Sequence, residues 1–235
     1  MGNTKKKIVT TTTVVTEEIV VNERTDIICI LDRSGSVSSI IDDMIGGFNT
    51  FIEDQKKVDG ECYVTVALFD DMYELLYDNV ELSKVKPITR EEWTPRGMTA
   101  LYDAIGKTVN TLEAKHLASE SKPDKVLVCI VTDGFENHSR EFKLEDIKNI
   151  IKRKEVDKWA FLYLAANQDA FGVGKSMGFS GGNTLSFSAS AEGANFMNTS
   201  FSNSATYYRS SVNTKNYSST ADNIVASSVN TEAKK

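Results

Sequence analysis

Three short segments of this chain carry oxygen-bearing side chains where chemistry could be done. Asp32-Arg33-Ser34-Gly35-Ser36 follows the apolar run Ile27-Ile28-Cys29-Ile30-Leu31. One carboxylate and two hydroxyls therefore alternate just where a buried strand ends and the chain turns. Hard oxygen ligands from one tight loop suit a magnesium-like cation. Gly97-Met98-Thr99-Ala100 stands before a helical pattern, and Val131-Thr132-Asp133-Gly134 closes a second apolar run. The candidate ligands are Asp32, Ser34, Ser36, Thr99 and Asp133. Each segment alone is also what a turn or a helix cap uses. The joint set, three segments each at a strand or helix end, is what points to a metal.

The elements that must position these residues are legible as periodicity. Asp26 to Leu31 and Lys125 to Val131 are apolar without alternation, the pattern of strands covered on both faces. Tyr63 to Phe69 is a further strand, Met72 to Val80 returns antiparallel beside it, and Trp159 to Ala166 is the last strand. Ile41, Met44, Ile45, Phe48, Phe51 and Ile52 recur at helical spacing, as do Leu101, Ala104, Ile105, Thr108 and Leu112. Leu144 to Val156 forms another helix, and a Gly-rich helical stretch reaches Met177. Gly46-Gly47 weakens the first helix by about 1 kcal/mol per glycine, and close packing against the sheet is the expected compensation. Strands alternating with helices predict an α/β fold: a Rossmann-like, doubly wound, mostly parallel sheet with one antiparallel edge strand and helices on both faces. In such a sheet ligands bind beyond the carboxyl ends of the strands, where Asp32 and Asp133 stand. Two carboxylates brought close there need a cation or a proton between them.

Composition narrows the function. With 33 acidic against 27 basic side chains and no basic stripe, nucleic acid is excluded as a direct ligand. No apolar run is long enough to cross a bilayer. The N-terminus lacks the pattern of a secretory signal, and Lys6 breaks a myristoylation reading of Met1-Gly2. Cys29, Cys62 and Cys129 have no metal-ligand spacing and read as small core hydrophobes in a reducing compartment. A cytoplasmic protein is the expectation.

Three regions follow. Residues 1–24 form a Thr/Val-rich extension, read either as an added strand or as a frayed tail. Residues 25–179 form the domain. Residues 180–235 are rich in Ser, Thr and Asn with scattered aromatics, a composition too poor in aliphatics to build its own core. A partly ordered tail is expected there, with short docked helices at Ala189 to Met197 and Ser204 to Ser211. Either extension offers a route to self-association.

The D-x-S-x-S at Asp32 to Ser36, with the distant Thr99 and Asp133, resembles the von Willebrand factor A domain and its metal-ion-dependent adhesion site (MIDAS). The resemblance covers roughly Thr25 to Gly178, and the absence of a signal or paired cysteines suits an intracellular, bacterial or phage type. It implies that Ser34 and Ser36 ligate one divalent cation directly. Asp32 and Asp133 act directly or through water, and Thr99 ligates in one of two states. It further implies an open coordination position filled by Asp or Glu of a partner protein. Ligand chemistry favours Mg2+, with Mn2+ as the alternative. Asp70 is a candidate for the outer shell, Glu136, Asn137 and His138 for a partner-facing rim, and Trp93 and Arg96 for recognition. Arg33 either steers an acidic partner or faces solvent. His116 and His138, without Cys or His partners, read as surface residues.

No nucleophile elbow, P-loop, H-E-x-x-H or Cys-His set is present in the sequence. The leading expectation is therefore a cation-dependent protein-binding module that is not an enzyme. The alternatives are an assembly subunit acting through its extensions, and a Mg2+-dependent phosphoryl-transfer enzyme using Asp32. The second lacks the usual carboxylate two residues on.

Overall fold

The computed structural model describes residues 23–166 and 169–211. Six strands form one sheet: β1 (Thr25–Asp32), β2 (Cys62–Phe69), β3 (Tyr73–Glu81), β4 (Lys125–Thr132), β5 (Trp159–Ala166) and β6 (Thr184–Phe187). Their order is β3-β2-β1-β4-β5-β6, and β3 alone is antiparallel to its neighbour. The chain leaves β1 toward one edge and returns with β4 on the other side, so strand order reverses between β1 and β4. That switch point is where α/β sheets open a crevice at the carboxyl ends of their strands.

The helices are α1 (Ile41–Gln55), α2 (Leu101–Ala118), α3 (Leu144–Val156), α4 (Ala170–Met177) and α5 (Ala191–Ser210). The uniformly apolar strands feed two cores through their period-two pleat. Ile27, Cys29 and Leu31 pack with Met44, Phe48 and Phe51 of α1 and Met197, Phe201 and Tyr208 of α5. Ile28 and Ile30 turn the other way, toward Ile105 and Val109 of α2, Ile147 and Ile151 of α3 and Met177 of α4. All three cysteines are free and buried, and burial pushes their thiols well up, Cys62 to about 11. Thiols held protonated in this way are poor nucleophiles.

The region expected to be a tail departs most from the reading of the sequence. The boundary at residue 180 falls inside the fold, because β6 pairs parallel with β5 and α5 closes one face of the sheet. The two short helices are one continuous helix. Ala194, Met197, Phe201, Ala205 and Tyr208 are buried along it at spacings of three and four. This is an apolar stripe hidden in a polar composition, and it borrows the domain's core rather than building one. Ser190 caps the helix by accepting from the Gly193 N–H at 3.1 Å. Phe201 stacks on Phe51 with centroids 3.9 Å apart, and Tyr208 donates to the Val126 carbonyl. At the far end Arg209 donates to the carbonyls of Gln55 and Val58, while Lys125 donates to those of Arg209 and Ser211. The same helix explains Gly47. A Cβ there would overlap the Asn198 side chain, so the close packing is against α5 and not the sheet, whereas Gly46 faces open space. The added strand expected before Arg24 lies outside the described residues, as does everything after Ser211.

If α5 is part of the core, Phe201→Ala should cost about 3–5 kcal/mol in a denaturant titration of the full chain. A loss below about 0.5 kcal/mol is what a dispensable tail would give.

Candidate metal centre

Asp32 ends β1 and is fully buried. Its Oδ1 accepts from the Ser34 N–H at 2.7 Å and its Oδ2 from the Thr132 hydroxyl at 2.5 Å. The first bond is a tight side-chain turn that folds the D-x-S-x-S loop over its own carboxylate. The Asp32 carbonyl accepts from Trp93 Nε1 at 3.0 Å, and the Arg33 N–H continues the ladder to Phe69. The loop then enters a 3₁₀ turn, Gly35–Ser39, that carries Ser36 outward.

Backbone bonds tie the three loops together. Gly35 donates to the Gly97 carbonyl at 3.2 Å, and Arg96 donates to the Arg33 carbonyl at 2.7 Å. Gly97 adopts φ +66, and a side chain there would collide with Asp71, so glycine is required for this close approach. Thr99 is buried. Its N–H donates to Asn137 Oδ1 at 2.9 Å, and its carbonyl accepts from the N–H groups of Asn137 and His138. The second loop is thus clamped to the segment that follows Asp133.

The side-chain oxygens meet in the crevice. Ser34 Oγ and Ser36 Oγ are 2.9 Å apart, and Ser36 Oγ donates to Asp133 Oδ1 at 2.5 Å. A Cβ on Gly134 would lie 3.1 Å from Thr99 Oγ1 and 3.3 Å from Ser36 Oγ, so Thr99 closes the same cluster and glycine leaves it room. Asp32 reaches the cluster from beneath through the Ser34 N–H. The structure therefore brings Asp32, Ser34, Ser36, Thr99 and Asp133 into one crevice.

The electrostatics suit a cation. Burial is the main cause that pushes the Asp32 carboxyl up to about 6, with Asp133 adding to it and hydrogen bonds from Thr132 and Ser34 opposing it. Burial also raises Asp133, against the hydrogen bond from Ser36. A charge this badly solvated is relieved by a counter-ion. The donors are all oxygens, and among the described residues no three His, Cys, Asp or Glu side chains cluster to offer a softer metal site. Carboxylates and hydroxyls on three short loops fit a hard, six-coordinate divalent ion.

Several other candidates play different parts from those expected. Trp93 is not a recognition residue: it is 1% exposed, edge-on to Phe48, and holds the Asp32 carbonyl. Arg33 neither steers nor faces solvent. It is 3% exposed and pairs with Asp70 at 3.0 Å and Glu74 at 2.7 Å. Asp70 is fully buried and takes Arg33, Arg96 and the Met72 N–H on its carboxylate, so it anchors the loops that carry Asp32 and Thr99. Glu136 accepts from the N–H groups of Tyr102, His138 and Ser139, and with Asn137 it clamps the Asp133 loop to the start of α2. His116 lies mostly covered against Trp159, bonded to Asp26 Oδ2 at 3.0 Å. Thr132, beside Asp133 in the sequence, is the residue whose role the motif alone does not announce.

No protein-family model and no curated protein sequence matches this chain. Solved structures do. The vWF domain of the type V pili tip protein Mfa5 from Porphyromonas gingivalis superposes with a TM-score of 0.55 at 8% identity, covering 77% of this chain and 96% of that one. The mussel byssus proximal thread matrix protein 1 gives 0.56 at 12% identity over 80% of this chain. Its form with a zinc-occupied MIDAS motif gives 0.54 at 13% identity over 79%. This chain has the von Willebrand factor A fold. It spans less than half of the mussel protein, 46% of that chain. At these identities the likeness concerns the fold alone, and the case for the oxygen-lined crevice rests on this chain's own residues and geometry.

Two outcomes follow from the geometry. Below about pH 6 a proton occupies Asp32 and competes with a cation, so a given Mg2+ concentration should raise the melting temperature more near pH 7.5 than near pH 5. An equal shift at both pH values in thermal melts would contradict this placement. Asp70→Ala leaves the buried Arg33 with only the half-exposed Glu74 as partner and should cost about 3–5 kcal/mol of unfolding free energy. A near-neutral result would mean that the pair does not anchor the loops.

Proposed function

We propose that this chain is a divalent-cation-dependent protein-binding module without catalytic activity. Asp32, Ser34, Ser36, Thr99 and Asp133 hold the ion, Mg2+ by ligand chemistry with Mn2+ as the alternative. The observation that carries this reading is the convergence of the three loops' oxygens at the β1/β4 switch point. The bound cation supplies an electrophilic coordination position that takes an Asp or Glu carboxylate of a partner protein. The chain's residues supply the rest. Asp32 and Asp133 balance the charge, Ser34 and Ser36 set the spacing, and Thr99 comes from a loop clamped by Asn137. The zinc-occupied MIDAS of the mussel neighbour supports the analogy of fold and site type.

Phosphoryl transfer needs a cationic clamp for the phosphate. The guanidinium groups beside the crevice, Arg33 and Arg96, are both committed to Asp70, which favours binding over catalysis. A formal charge of −6 disfavours nucleic acid as partner. Among the described residues no helix is long and apolar enough to cross a membrane. Three free, buried thiols suit a reducing compartment, and we place the module in the cytoplasm on that ground.

Asp32→Ala and Thr99→Ala should each lower Mg2+ affinity by roughly tenfold or more, as measured calorimetrically. Capture of partners from host lysate should then need both wild-type chain and Mg2+. A partner retained equally by wild type in chelator and by Asp32→Ala would reject the metal-dependent reading.

A further inference from the structure

The crevice lies in the middle of an edge that carries several exposed apolar side chains. Among the described residues, four of the seven exposed large hydrophobics stand at the carboxyl ends of the parallel strands: Met72 (60% exposed), Met98 (47%), Phe135 (59%) and Phe171 (53%). Met72 sits in the β2–β3 turn, and Met98 lies between Gly97 and Thr99. Phe135 is two residues past Asp133, and Phe171 is in the first turn of α4, just after β5. The strands beneath them are consecutive neighbours, β2-β1-β4-β5. Three strand spacings set the ends of β2 and β5 about 14 Å apart, and the midpoint of that span falls between β1 and β4, at whose ends Asp32 and Asp133 stand. Single exposed hydrophobics are ordinary, but several gathered round one polar site mark an interaction surface.

We infer that the ligand of this face is an extended protein segment with an Asp or Glu between two apolar residues, each two positions away. The inference rests on the cation-binding reading above and adds the partner's sequence class to it. In an extended chain the residues at i−2, i and i+2 share one face, and the outer two are about 13–14 Å apart. That span matches the separation of the β2 and β5 ends. The central carboxylate then meets the cation while its apolar neighbours settle on the Met72/Met98 side and on the Phe135/Phe171 side. Covering the rim with apolar groups removes water from around the ion–carboxylate contact and strengthens it, as a ring of dry contacts does around an interface hot spot. Methionine rims adapt to varied side chains, so the flanking positions are selective for apolar character rather than for one residue.

The full chain with 13C-methyl methionine in Mg2+ provides the test. The probe is a short peptide with Phe two residues before and Leu two residues after a central Asp. Its controls replace both flanks by Ser, or the Asp by Asn. The probe should shift the Met72 and Met98 methyl signals and leave the buried Met44, Met177 and Met197 signals in place. Both control peptides, and chelator, should abolish the shift. Met98→Gln with Phe135→Gln, exposed positions that the core does not use, should weaken the probe about tenfold and leave Mg2+ affinity unchanged. Mg2+ binding together with equal affinity for the Ser-flanked peptide, or no shift at millimolar probe, overturns this inference and leaves the metal site standing. Failure to bind Mg2+ overturns both. Methyl shifts with phosphatidylserine vesicles but not with the peptide would assign the rim to a lipid surface and overturn the peptide reading.

Discussion

A carboxylate buried at the end of a central parallel strand is the constraint round which this domain is arranged. Asp32 is shut off from solvent, and ionising it there is costly. The neighbouring strand stops one residue before Asp133, so a second carboxylate sits above the first. The fold answers with the Thr132 hydroxyl, the Ser34 N–H and a pair of serine hydroxyls, and among the described residues no cationic side chain pairs with Asp32. Positive charge is instead concentrated on Asp70, where Arg33 and Arg96 converge. The two acidic groups are thus treated differently. Asp70 is neutralised internally and becomes a loop anchor, whereas Asp32 and Asp133 keep an unbalanced negative charge that suits a metal.

The hydrophobic core extends this control beneath the crevice. Leu31, Phe48, Trp93, Val131, Met197 and Phe201 form one wall under the loops. Trp93 meets Phe48 edge-on and holds the Asp32 carbonyl, while Phe201 of α5 stacks on Phe51 one turn along α1. The last described helix is therefore coupled by packing to the floor of the site. Arg209 and Lys125, by capping carbonyls at the other end, fix its position along the sheet.

Much of this was legible in the residues. The unbroken apolar runs marked the doubly covered strands, and the acidic or hydroxyl residue at the end of each marked the crevice. The parts that were not legible share a physical cause. Trp93, Arg33, Glu136 and Asn137 act through long-range hydrogen bonds and ion pairs, and a loop sequence does not reveal which loop it will meet. Arg33 lies inside the motif, yet only the proximity of Asp70 and Glu74 explains its burial. The α5 helix was obscured differently. Its stripe from Ala194 to Tyr208 has helical spacing, but small residues and aromatics replace aliphatics, so its composition resembles a solvated tail. Periodicity was the stronger signal there, and composition the weaker one.

The central claim is that one hard cation sits among these oxygens, and a crystal grown with Mn2+ tests it most directly through anomalous scattering. The account predicts one strong peak within about 2.0–2.4 Å of Ser34 Oγ and Ser36 Oγ, with Asp32, Asp133 and Thr99 bonded to it directly or through water. No peak in the crevice at saturating Mn2+, or a peak held by other side chains, would contradict it.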